Sequence, residues 1–170
     1  DDFSDPVALG LMRRSGVRIV PMIKNVPRWD DFHDLIDDPR DRARIIERLA
    51  RLVDEHEYDG IHIDFEAVNP DDRELLTSFM RELADVLRPQ GKLVTQAIPA
   101  RTSDTITMWS GAYDYAALGE INDLVVIMAY DFHYPGGDPG PVAPISWVER
   151  VVNYASDKIP AASLLLGIPL

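Results

Sequence analysis

The chain of 170 residues has no cysteine, which excludes a disulfide framework, a thiol nucleophile and thiolate metal ligation. Basic side chains are scarce: 17 Lys and Arg stand against 29 Asp and Glu, for a formal net charge of −12. Such a field repels both nucleic acid and an anionic lipid surface, so neither is expected as a partner. No apolar run approaches the roughly 20 residues needed to cross a bilayer, and no membrane insertion is expected. The opening Asp1-Asp2-Phe3-Ser4-Asp5 has neither the basic region nor the apolar stretch of a signal peptide. No Gly-x-Gly-x-x-Gly follows an apolar run, which weakens a dinucleotide-binding reading. Low-complexity segments and inter-domain linkers are also missing, so residues 1–170 read as belonging to one domain, with no second. At 46% hydrophobic residues, a chain of this length can bury a real core.

What is present is an alternation of short apolar runs with longer amphipathic ones, the pattern of repeated β-α units around a parallel sheet. Asp5-Pro6 predicts a helix to about Arg14, with Gly16 as its stop, followed by a strand over Val17–Ile23 and a polar loop. Asp38-Pro39 opens a helix with Ile45, Ile46, Leu49, Leu52 and Val53 on one face. Gly60–Phe65 reads as a strand. Asn69-Pro70 then starts a helix with Leu75, Leu76, Phe79, Leu83, Val86 and Leu87 on one stripe, ending near Gly91. Further strands are expected at Leu93–Ile98, Leu124–Tyr130 and Ser163–Ile168, with a helix from Pro144 turning Trp147, Val148, Val151 and Val152 inward. Five such units fit a doubly wound sheet or part of an eight-stranded barrel.

The informative segment is Tyr58-Asp59-Gly60-Ile61-His62-Ile63-Asp64-Phe65-Glu66. Successive strand side chains point to opposite faces, so Ile61, Ile63 and Phe65 share one face and His62, Asp64 and Glu66 the other. A surface strand would alternate in the same way without chemical meaning, but the flanking amphipathic helices make this strand central. A metal site is a second alternative, since His and two carboxylates are legitimate ligands; no other strand end offers a matching cluster, and no metal or cofactor is expected. Carboxylates two residues apart on one face lie roughly 6.5–7 Å apart at Cα, close enough to couple and push one proton affinity up. Glu66, nearest the rim, is the candidate proton donor, and Asp64 its partner.

Asp59-Gly60-x-x-x-Asp64-x-Glu66 resembles the Asp-Gly-x-Asp-x-Asp-x-Glu signature of glycoside hydrolase family 18, the family of chitinases and related N-acetylglucosaminidases. Met128-Ala129-Tyr130-Asp131 resembles the family's Met-x-Tyr-Asp element and lies in the expected order. Ala97-Ile98-Pro99-Ala100, the stretch Trp109 to Tyr115, Pro139-Gly140-Pro141-Val142 and Leu166-Gly167-Ile168-Pro169 resemble one branch, the bacterial spore-germination and cortex-lytic glycosidases. Members of that branch are often joined to LysM modules, which are therefore an implied partner within the same polypeptide.

The resemblance implies a (β/α)8 TIM barrel in which these five strands are strands three to seven. An open section of that kind would expose strand edges and an apolar interior, so it is expected to fold poorly alone. The implied reaction is substrate-assisted, retaining hydrolysis of β-1,4 N-acetylglucosaminyl linkages in cortex peptidoglycan or chitin-like glycan, outside the cell, in the envelope or in the spore. Glu66 would be acid then base, Asp64 would orient the acetamido group, and Tyr130 would bond its oxygen. Asp131 and Met128 would border the sugar. His62 stands where the family usually has Asp, and is expected to hydrogen-bond Asp64. Gln96 and Asn25 would touch sugar hydroxyls or merely satisfy barrel polar groups. Trp109 and Tyr113 would line a glycan groove or pack as satellite core. The alternative function is a carbohydrate-binding protein on the same barrel with weak or no catalysis, a reading that the His62 departure keeps open.

Overall fold

The computed structural model describes residues 5–25 and 29–169. Helix α1 (Pro6–Arg14) starts at Asp5, whose carboxylate accepts from the Val7 and Ala8 amides, with proline in its first turn. Of the strand expected over Val17–Ile23, only β1 (Met22–Lys24) forms. Pro21 has no amide proton for the ladder. The chain before it is held by Asp59, whose amide donates to the Ile19 carbonyl at 2.8 Å and whose carboxylate accepts from the Ile19 amide at 2.6 Å. The polar segment after Ile23, expected as a loop, contains helix α2 (Trp29–Ile36); its residues 26–28 lie outside the described residues. Phe32 and Ile36, one helical turn apart, are both buried, and this i,i+4 pair anchors an otherwise polar stretch.

Helix α3 (Pro39–Glu55) is capped by Asp38 and buries Ile46 and Val53. After strand β2 (Gly60–Asp64), a 3-10 turn leads into α4 (Arg73–Leu87), whose Leu76, Phe79, Met80, Leu83 and Leu87 are fully buried. Val86, expected on that stripe, is instead 40% exposed. Strand β3 (Leu93–Pro99) is followed by α5 (Tyr115–Ile121), a helix not anticipated, capped by Asp114 on the Ala117 amide. Strand β4 (Leu124–Met128), α6 (Ile145–Ser156) and β5 (Leu164–Gly167) complete the series.

The five strands are all parallel and lie in the order β1-β2-β3-β4-β5. A doubly wound sheet reverses its order about a switch point; this one never reverses, as in a section of barrel wall. Its outer face, including Ile61, Ile63, Val94, Ile98, Val125 and Ile127, is buried beneath the helices, each such side chain contributing ~1.5–3 kcal/mol. The other face lines the barrel interior. There His62, Thr95, Val126 and Leu165 border a space of about 380 Å³. Met22 on β1 and Leu165 on β5 are 55% and 45% exposed, as expected where a barrel section ends in unpaired strands.

Gly60 sits opposite Leu93, and a Cβ there would overlap the Leu93 carbonyl oxygen. Gly60→Ala should therefore lower the unfolding free energy of the intact protein by ~1–3 kcal/mol. Urea denaturation measures it, and a change below ~0.5 kcal/mol would contradict the tight β2–β3 approach.

Candidate active site

Parallel pairing sets the geometry at the C-terminal end of β2. Lys24 on β1 is the register partner of Asp64, so both project to the barrel interior. The Lys24 Nζ lies 3.1 Å from Asp64 Oδ2 and 3.2 Å from Glu66 Oε1. Both carboxylates raise the proton affinity of the lysine, Asp64 the more strongly. The Asp64 side chain is 6% exposed and that of Glu66 45%, which puts Asp64 in the floor and Glu66 at the rim. The sequence suggested two carboxylates facing one another; the structure inserts a cation between them. Lys24 was missed there, although a charge ending an apolar run, on the same alternation as Met22, was a usable signal. Asp64 Oδ1 is buried and has no hydrogen-bond partner among the described residues. Leaving such an atom unpaired costs ~1–3 kcal/mol or more, so it is primed to accept a hydrogen bond from a bound donor.

Asn25 fixes the backbone under Glu66. Its Nδ2 donates to the Glu66 carbonyl and its Oδ1 accepts from the Glu66 amide, both at 2.8 Å. Both ends of the amide thus each make one bond to the Glu66 backbone, the polar-satisfying role expected for Asn25. Immediately after Glu66, Ala67 has φ +52°, and across the cleft Asp131 has φ +58°. Non-glycine residues held in this left-handed region cost of order 1–3 kcal/mol and cluster at functional sites.

Around these groups opens a cleft of about 670 Å³. Lys24, Asp64, Glu66 and Ala67 form one side, Met128, Tyr130 and Asp131 another, and Trp109 and Trp147 flank it. Burial, followed by the charges of Asp64, Asp131 and Glu66, raises the Tyr130 phenol, which keeps it a neutral donor. Gly167 on β5 allows the Tyr130 ring to approach; a Cβ would stand 3.1 Å from its Cε1. Trp109 is 70% exposed at the loop after β3. Trp147, read from sequence only as a core residue of α6, is half-buried and packs on Phe132 with ring centroids 5.1 Å apart. An outer groove between α3 and α4 has a similar volume, about 620 Å³, but is lined by helix residues with no strand-end groups, so chemistry rather than size selects the cleft.

Several expectations need correction. His62 bonds not Asp64 but Thr95, Nδ1 to Oγ1 at 2.8 Å, and faces the interior space below the cleft. Burial lowers its proton affinity against the opposing pull of Asp64. Gln96 is on the outer face of β3, fully buried, where its Oε1 accepts from Asn122 Nδ2 at 3.1 Å; it cannot reach a sugar. Tyr113 is also fully buried, its hydroxyl donating to the Phe65 carbonyl at 2.6 Å. Of the aromatic segment after β3, then, Trp109 borders the cleft and Tyr113 is packing beneath it. His133 and Tyr134, on the loop after β4, are not among the cleft's lining residues; the His133 Nδ1 is bonded to the Asp138 carbonyl at 2.7 Å.

A sequence profile of the glycosyl hydrolases family 18 matches residues 12–170. The chain belongs to that family. Its five β-α units are accordingly consecutive units of the TIM barrel. It is 39% identical over 138 residues to the Bacillus subtilis protein YdhD, named as a sporulation-specific glycosylase, covering 81% of this chain and 33% of YdhD. It is 36% identical to the cortical fragment-lytic enzyme of Bacillus subtilis over 134 residues, covering 78% of this chain and 31% of that enzyme. The chain thus spans about a third of the length of these curated relatives. The crystal structure of YdhD superposes with a TM-score of 0.95 at 34% identity, covering 100% of this chain and 58% of that one. The chitinase of Chromobacterium violaceum gives 0.91 at 30% identity, with coverage of 99% and 56%.

Two outcomes follow from this geometry. Asn25→Ala should cost ~1–3 kcal/mol in unfolding free energy, because two backbone groups of Glu66 lose their partners; denaturant titration reads it, and a neutral result would show the clamp to be ornamental. His62, held neutral by burial, is protonated more readily when unfolded, so between its depressed folded pKa and the usual 6.5 the unfolded chain binds more protons and stability falls as pH falls. His62→Asn should flatten unfolding free energy over this window; an unchanged slope would remove His62 as its source.

Proposed function

We propose that the chain carries the acid-bearing segment of a retaining glycosidase site, part of one catalytic domain over residues 1–170. Its substrate class is glycan containing β-1,4-linked N-acetylglucosamine. The observation that carries this reading is the pairing of a floor carboxylate having one unpaired oxygen, Asp64, with a rim carboxylate, Glu66, on the same strand end. Carboxyls on one side of a scissile bond suit a mechanism in which the substrate's 2-acetamido group is the nucleophile.

In that mechanism Glu66 gives its proton to the leaving glycosidic oxygen as the C1–O bond breaks. The acetamido carbonyl oxygen closes onto C1 to form an oxazolinium ion. Asp64 Oδ1 accepts the acetamido N–H, orients the group and offsets the positive charge of the ring. The Tyr130 hydroxyl, kept protonated, donates to the acetamido oxygen. Water then attacks C1 as the bond from C1 to the acetamido oxygen breaks and the ring reopens, Glu66 takes the water's proton, and the product leaves with retained configuration. Asp131 and Met128 border the sugar, and Trp109 and Trp147 offer flat apolar faces to its C–H surfaces.

The similarity to a cortical fragment-lytic enzyme favours spore-cortex peptidoglycan over chitin, with action in the spore or cell envelope. Glu66→Gln should reduce release of new reducing ends from purified cortex peptidoglycan and from chitin oligomers by at least ~10²-fold in the intact protein. Glycan binding without release by the unsubstituted protein would instead favour a lectin-like barrel.

A further inference from the structure

Lys24 is the one charged group among the described residues of the cleft that the mechanism above leaves without a role. Its ammonium is nearly equidistant from the two carboxylates that must hold different protonation states. The groups facing it are Asp64 and Glu66 at the end of β2 and Tyr130 and Asp131 beyond β4. The remaining described residues of the cleft walls are uncharged. His62 lies deeper on β2 and feels Asp64. Asp64, Glu66 and Lys24 together carry one negative charge when both acids are ionised, and none once a single proton is added.

We propose that Lys24 is a positioning residue for the acid chemistry: by bridging both carboxylates it keeps Asp64 ionised while Glu66 takes up the proton delivered to the glycan. This rests on the reading of Glu66 as the acid. Asp64 is nearly enclosed, with one oxygen unpartnered among the described residues and the other on the ammonium. Without the cation it would be a buried carboxylate beside a second acid, the arrangement that drives a shared proton onto the wrong group. The attraction of the ammonium acts with little solvent screening on the enclosed Asp64 and is screened at the half-exposed Glu66, so the cation holds the negative charge more firmly on Asp64. Across a few ångströms, next to a partly exposed partner, a unit charge corresponds to ~0.5–1 pH unit.

The test is the pH dependence of kcat/KM, which reports the free enzyme, for the intact protein and its Lys24→Met, Lys24→Arg and Glu66→Gln variants on cortex peptidoglycan. The acid limb follows loss of the Asp64 charge and the basic limb loss of the Glu66 proton. Lys24→Met should move both limbs upward by ~0.5–1 pH unit, and Lys24→Arg should return the profile towards its original position. A Lys24→Met profile that superimposes on the unsubstituted one, with Glu66→Gln inactive, overturns the role of Lys24 and leaves the proposed function standing. An active Glu66→Gln protein overturns the proposed function itself, and this inference with it. If Lys24→Met has no activity at any pH, the side-chain carboxyl carbons of Asp64 and Glu66, titrated by ¹³C NMR in the folded proteins, give the same comparison: raised midpoints support the inference and unchanged ones overturn it.

Discussion

Strand β2 has neighbours on both edges and helices over one face, and the rest of the site depends on that confinement. Its backbone is laddered to β1 through His62–Asp64 and to β3 through Gly60–Ile63. Ile61 and Ile63 are fully buried beneath the helices, and Phe65 packs between Phe32 and Phe79 with ring centroids 5.1 and 5.4 Å away. Slipping the register by one residue would exchange the faces, driving Asp64 into the apolar layer and the isoleucines into the barrel. The cost of burying an ionised carboxylate among hydrocarbon is far above what any single cleft contact returns. Packing on the outer face therefore orients the acids on the inner one.

The same economy governs the end of the strand. Glu66 lies beyond the last ladder pairing, where the chain would ordinarily be free to drift. Asn25 replaces the missing ladder with a side-chain amide that satisfies both backbone groups of Glu66, and Tyr113 holds the Phe65 carbonyl from the opposite direction. Held at both residues, the backbone can turn sharply at Ala67 with a positive φ. The strain at that turn is sustained by hydrogen bonds from two different β-α units, so it is a property of the assembled wall and not of the local sequence.

This division explains which features could be read directly from the sequence. The five units, their caps at Asp5, Asp38 and Asn69, and the inward carboxylates follow from periodicities of 2 and 3.6, which are local. Helix α2 was missed because residues 29–36 contain three aspartates and a histidine, and the burial of Phe32 and Ile36 outweighs their polarity. Gln96 was misassigned because strand position suggested a polar group near the rim. Alternation in fact places it with Val94 and Ile98 on the helix side, where Asn122 of the next unit meets it. His62 has the parity expected of it, but its partner, Thr95, comes from β3. Lys24, Asn25 and Trp147 owe their roles to contacts across units, and no single window of sequence contains such a contact.

The carboxylates and the aromatic flanks of the cleft consequently sit on different elements. The charged groups come from adjacent strands whose spacing is fixed by the ladder, whereas the aromatic flanks are carried by the loop before α5 and by the first turn of α6. The backbone ladder fixes the register of the first set. The second set is held mainly by packing: Trp147 on Phe132, and a loop after β4 organised around the His133 ring bonded to the Asp138 carbonyl. Loops of this kind can change length and side chains without disturbing the wall beneath them. A superposition with a TM-score of 0.95 at 34% identity therefore carries more information about the strand-borne carboxylates than about the loop-borne tryptophans.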